Sequence, residues 1–121
     1  MSQSEKPQFL FLFRHPSDMP DPTPEEMQQI MGCWMNWMNG IKAKGQLIGG
    51  NPLGDGGKVL RGATGSTVTD GPFAETKEIV GGYLIVAADN LAKAAKVARG
   101  CPGFANGTIV EVRPIEQLPP I

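Results

Sequence analysis

Histidine occurs once in this chain of 121 residues, tyrosine once, and cysteine and tryptophan twice each. One histidine with scattered carboxylates is a thin ligand set for zinc or iron, so no metal is expected. Cys33 and Cys101 are too few for a disulfide framework and have no Cys or His neighbours at zinc-site spacing. They are expected as reduced structural thiols; the alternative for Cys101, at the end of a basic helix, is a reactive nucleophile, which needs exposure and a lowered pKa. An excess of charge of one sign is also missing: eleven basic residues against twelve acidic ones leave a net charge of -1. No general field then draws phosphate backbones or anionic lipid, there is no helix-turn-helix pattern, and neither nucleic acid nor membrane is an expected partner. Long hydrophobic runs are absent too. Phe9 to Phe13 is far too short for a signal-peptide core or a membrane span, so the expected location is the cytoplasm. Gly54-Asp55-Gly56-Gly57-Lys58 lacks Walker spacing, and no Gly-x-Gly-x-x-Gly turn joins a strand to a helix. No phosphate cradle and no cofactor are expected.

What the chain does have is punctuation: sixteen glycines and eleven prolines, clustered between periodic segments. Its length suits one domain over residues 1–121. Phe9-Leu10-Phe11-Leu12-Phe13 is apolar at every position and should bury both faces as a central strand. Thr23 with Glu26 forms a capping box, and Pro24 fits the first helical position. Met27, Ile30, Met31, Trp34, Met38 and Ile41 then recur at helical spacing until Lys42, Lys44 and a left-handed Gly45 end the helix. Gln46 to Gly50 is expected as a short strand, Asn51 to Gly57 as a loop, and Val59-Leu60 and Ser66 to Thr69 as strand pieces around a Gly-rich turn. Tyr83 to Ala88 is a second strand apolar on both faces. Asp89 is expected to cap a second helix whose Leu91, Ala94, Ala95 and Ala98 face the core. Gly107 to Pro114 closes as an edge strand with Ile109, Glu111 and Arg113 on one face and Val110 and Val112 on the other.

The order β-α-β-β-α-β, with its two most apolar strands first and third, predicts an α+β, ferredoxin-like fold with that pair in the centre of the sheet. Two helices cover only one face. The apolar residues on the other face need a cover, and the simplest is a second copy of the chain, giving a two-fold homodimer through the sheet face; a large bound ligand is the alternative.

The densest stretch is Asp70-Gly71-Pro72-Phe73-Ala74-Glu75-Thr76-Lys77-Glu78, followed by Gly81-Gly82-Tyr83-Leu84. Turn chemistry explains Asp-Gly-Pro but not the four residues from Glu75 to Glu78. Together these strings resemble the signature of the YCII-related, or DGPF-domain, family. The aromatic and aliphatic first strand, the long first helix, Cys101-Pro102 and the closing Val110 to Pro114 extend the similarity over nearly the whole chain. The resemblance implies a ferredoxin-like antiparallel sheet of the dimeric α/β-barrel type. It supplies no settled reaction, although a few relatives act on small aromatic or ring compounds. Matched residue by residue, it places Asp70, Gly71, Pro72, Phe73, Glu75, Lys77 and Glu78 along a pocket wall.

His15, in Arg14-His15-Pro16-Ser17-Asp18, is the leading acid–base candidate; otherwise it is a histidine on a solvated loop. Asp18 or Asp70 could fix its tautomer, and some broader relatives look as if they use a His and Asp pair for dehydrohalogenation or proton transfer, although DGPF-type members commonly lack that histidine. Asp70 reads either as a turn acceptor or as a catalytic carboxylate. Glu75, Lys77 and Glu78 read as a polar ligand site or as an exposed charge cluster. Arg14, Lys77 or Arg61 would grip an anionic ligand. Trp34 and the methionines fit either core or cavity wall, and Trp37, off the main stripe, is the better pocket-edge candidate. Two functions follow: a small cofactor-independent acid–base enzyme, isomerase- or lyase-like, acting on a small organic molecule between the first helix and the sheet; or a non-catalytic dimeric module that binds a small molecule or a protein.

Overall fold

Residues 6–71 and 78–119 are described by a computed structural model. Its elements are β1 (Gln8–Pro16), α1 (Pro24–Ala43), β2 (Leu47–Pro52), β3 (Lys58–Arg61), β4 (Thr67–Asp70), β5 (Glu78–Ala87), α2 (Leu91–Ala98) and, after a 3-10 turn at Pro102–Asn106, β6 (Ile109–Pro114). Four strands form one antiparallel sheet in the order β2-β5-β1-β6, so the two most apolar strands are its central pair and β6 is an edge. This is the expected α+β, ferredoxin-like arrangement. β3 and β4 stand apart as a two-stranded hairpin inserted between β2 and β5.

The first helix begins and ends where local chemistry dictates. Thr23 accepts from the Glu26 amide at 3.1 Å while the Glu26 carboxylate accepts from the Thr23 amide at 2.8 Å, so two of the orphan donors at the N-terminus are satisfied. At the other end Gly45 has a φ of 73°, its amide donates to Lys42, and the Gln46 amide donates to Ile41. These are the two reversed bonds of a Schellman stop. The second helix departs from expectation at its cap. Asn90, not Asp89, accepts from the Lys93 amide at 2.9 Å, because the Asp89 carboxylate is turned to Lys6 and Lys93. Leu91, expected in the core, is 49% exposed, and the buried stripe begins a turn later with Ala94 and Ala98. β2 also runs on to Pro52, and β1 on to Pro16, beyond the bounds the sequence suggested.

Opposed residues in an antiparallel pair share a face. Phe9, Phe11 and Phe13 therefore lie with Val86, Leu84 and Gly82 beneath the helices, and Leu10 and Leu12 with Ile85 and Tyr83 on the other side. The helix face is filled unevenly. At one end Phe11 is wholly buried among Ile41, Ala94 and Ala98; Trp37 stacks on it, and the Trp37 indole donates to the Val97 carbonyl at 3.4 Å. Small alanines let α2 approach closely there. At the other end the sheet offers glycine instead of side chains, and Met27, Met31 and Met35 of α1 remain 44%, 51% and 49% exposed. Among the described residues no helix is long and apolar enough to cross a membrane.

Candidate functional site

The glycine-rich end of the sheet leaves a cavity of about 390 Å³ under α1. Its helix side is Ile30, Met31, Trp34, Met35 and Met38, and its sheet side includes Phe13, Leu84, Gly50, Gly81 and Gly82. Its polar lining residues are Arg14, His15, Asn51, Tyr83 and Thr108, of which Tyr83, opposite Leu12, and Asn51, opposite Tyr83, carry their side chains on the other face of the sheet. The volume falls in the usual range for small-molecule pockets, roughly 300–1,000 Å³, and an apolar wall with a few converging polar groups is their usual chemistry.

A bulge sets the site's geometry. Phe13 pairs with Gly82 but Arg14 pairs with Val80, which leaves Gly81 as the extra residue on β5. A Cβ at Gly81 would come within 3.0 Å of the His15 Cδ2 and 3.2 Å of its Nε2, so the ring occupies the space a side chain there would fill. His15 is thus half-buried on a paired strand, opposite Ile79, and not on a solvated loop. Its Nδ1 lies 3.2 Å from the Pro16 carbonyl oxygen. A carbonyl can only accept, so this contact is a hydrogen bond when Nδ1 carries the proton, which leaves Nε2 as the accepting nitrogen of the neutral ring.

Arg14 contributes to the same wall, but its guanidinium is directed to the opposite side of the sheet. Its Nη2 makes a very short contact with the Glu111 carboxylate and its Nη1 stands 3.9 Å from Glu78. Glu111 in turn accepts from Arg113 at 3.3 Å. Two guanidinium groups and two carboxylates make a neutral chain across β5, β1 and β6.

Asp70 is not among the cavity's lining residues. It ends β4, its side chain is 88% exposed, and its carboxylate accepts from the Lys58 ammonium at 2.6 Å across the hairpin. Asp18 sits exposed in the turn after β1. Glu78 opens β5, exposed, beside Arg14. Phe73, Glu75 and Lys77 lie outside the described residues.

Both tryptophans are half-buried against the core cluster. Trp37, the expected pocket-edge residue, stacks on the buried Phe11, whereas Trp34 meets Phe13 edge-on at 4.9 Å and lines the cavity. Trp34 and Ile30 also border a second cleft of about 500 Å³ between α1, the segment before it and the 3-10 turn, with Met19, Asp21, Glu26, Cys33 and Pro102 on its walls. None of the described candidate catalytic or ligand residues is among its lining residues. Cys33 is exposed, against the expectation of a structural thiol, while Cys101 is buried. Burial pushes the Cys101 thiol up, opposed by the amides of Gly103 and Phe104, so it is less of a nucleophile than a free cysteine.

Asn51, Tyr83 and Thr108 escaped notice as site residues because each reads locally as loop or strand. The available signal was the pair of diglycines, Gly49-Gly50 and Gly81-Gly82, in otherwise apolar strands: glycine inside a strand marks a bulge or a place where another group comes close.

The family model of the YCII-related domain matches residues 6–118. No curated protein matches the chain.

Proposed function

The chain belongs to the YCII-related domain family, and on that premise we propose that it binds a small organic molecule under α1 and performs side-chain acid–base chemistry on it, of the isomerase or lyase kind. The observation that carries this is the single histidine of the chain on the wall of the apolar cavity, with its Nδ1 at a backbone carbonyl. In that tautomer Nε2 takes a proton from the bound molecule, and the imidazolium returns it to another atom of the same molecule or to a leaving group. Thr108 supplies a neutral hydrogen bond that orients the molecule.

A specific observation favours the second reading, a binding module without turnover. Asp70 is held by Lys58 and His15 faces a carbonyl, so the described residues do not supply the His and Asp pair that would raise the ring's basicity.

Proton exchange separates the two. Wild type and His15→Ala would be incubated in D₂O with small lactones, cyclic ketones and phenols that raise the melting temperature, and carbon-bound deuterium followed by NMR. Exchange in wild type that is lost in the variant, with the fold intact, supports catalysis. Binding without exchange leaves the binding module, and no stabilisation by any ring compound would sink the site itself.

A further inference from the structure

The same cavity carries information about the charge of what it holds. Arginine at a pocket wall ordinarily announces an anionic ligand, because guanidinium and carboxylate match in a two-pronged geometry. Here the guanidinium of Arg14 is already committed. Glu111 and Glu78 flank it, Arg113 completes the set, and the four charges sum to zero on the face of the sheet shared with Leu12, away from the Phe13 side. The cavity's remaining described polar side chains on the helix face are those of His15 and Thr108, since the pairing of Tyr83 with Leu12 and of Asn51 with Tyr83 puts those two side chains on the other face.

We propose that this pocket selects an uncharged, largely apolar ring compound bearing a carbonyl or hydroxyl, and discriminates against anions of the same shape. The proposal deepens the small-molecule reading above and rests on it. An anion entering between Trp34, Met38 and Leu84 leaves water for a wall that returns little of its hydration energy. Among the described wall residues only the imidazolium form of His15 can balance the charge, and that form has no lone pair left to act as a base. An uncharged carbonyl or hydroxyl exchanges its water hydrogen bonds for those of the neutral His15 ring and Thr108 at small net cost. Gly50, Gly81 and Gly82 present backbone where side chains would stand, which lets a ring lie close to the sheet.

Matched pairs of one ring test this. Benzamide against benzoate, and phenylacetamide against phenylacetate, would be titrated calorimetrically into the full-length protein at pH 8, with Trp34→Ala and Lys77→Ala in parallel. Each amide is expected to bind at least about tenfold more tightly than its carboxylate, and Trp34→Ala, which removes a cavity wall, is expected to weaken the amide. A tenfold preference corresponds to about 1.4 kcal/mol. Carboxylates that bind as well as or better than the amides overturn the proposal while leaving a pocket; if Lys77→Ala abolishes that binding, Lys77 is the counter-charge. Amide binding unchanged by Trp34→Ala overturns it by placing the ligand elsewhere. Silence from every ring overturns the small-molecule reading and this proposal with it.

Discussion

A Cβ at Gly81 would meet the His15 ring at contact distances tighter than side chains ordinarily adopt, and the backbone there does not itself require glycine. Gly81→Ala therefore isolates ring position from chain conformation. The variant is expected to fold, to move the His15 ring resonances in the NMR spectrum, and to lose most of the stabilisation given by any ring compound that binds wild type. Unmoved resonances with unchanged binding would show that the bulge does not position the histidine. The opposite case is Gly50, whose φ of 147° and crowding by the Tyr83 carbonyl and Leu84 make any side chain a backbone problem first.

At the level of elements, α1 has to stand over a hollow. Its middle turns face a cavity instead of packed side chains, so the contribution of its ends to holding it in place is proportionately larger. Thr23→Ala removes the acceptor for the Glu26 amide and is expected to cost about 1 kcal/mol, within the usual range of roughly 0.5–2 for such caps. Urea unfolding with an unchanged slope measures it. A loss below a few tenths would mean that packing at Ile41 and Trp37 alone fixes the helix. The β3–β4 hairpin is the reverse case: a two-stranded ribbon is marginal by itself in water. The Lys58–Asp70 bridge closing it is exposed and adds little, as exposed pairs do.

For the whole molecule the question is what covers the second face of the sheet. Leu10, Leu12, Tyr83 and Ile85 are only half-buried there, and Ile48 and Ile109 are 49% and 45% exposed. We propose that this face meets a second copy in a two-fold dimer, since a patch of that kind on a monomer would be an aggregation site. Leu12→Glu places a charge in its middle while leaving the Phe9, Phe11 and Phe13 side untouched. Sedimentation should show wild type at twice the chain mass and the variant at the monomer mass. A monomeric wild type would instead assign the face to another partner.

Local pattern alone determined the element order, the two central strands, the capping box at Thr23 and the left-handed stop at Gly45, because each depends on residues within a turn or two of one another. The α+β fold followed from them. The same locality misled at Asp89, where two lysines competed for the carboxylate, and at Leu91, whose place on the stripe said nothing of where the sheet ends. Tertiary structure decided the rest. Arg14 and Glu111 are 97 positions apart, so no spacing rule reveals that the arginine is neutralised. Nor could sequence tell that Trp34, edge-on against Phe13, borders a cavity while Trp37 stacks on the buried Phe11: that depends on which strand residues lie beneath each ring.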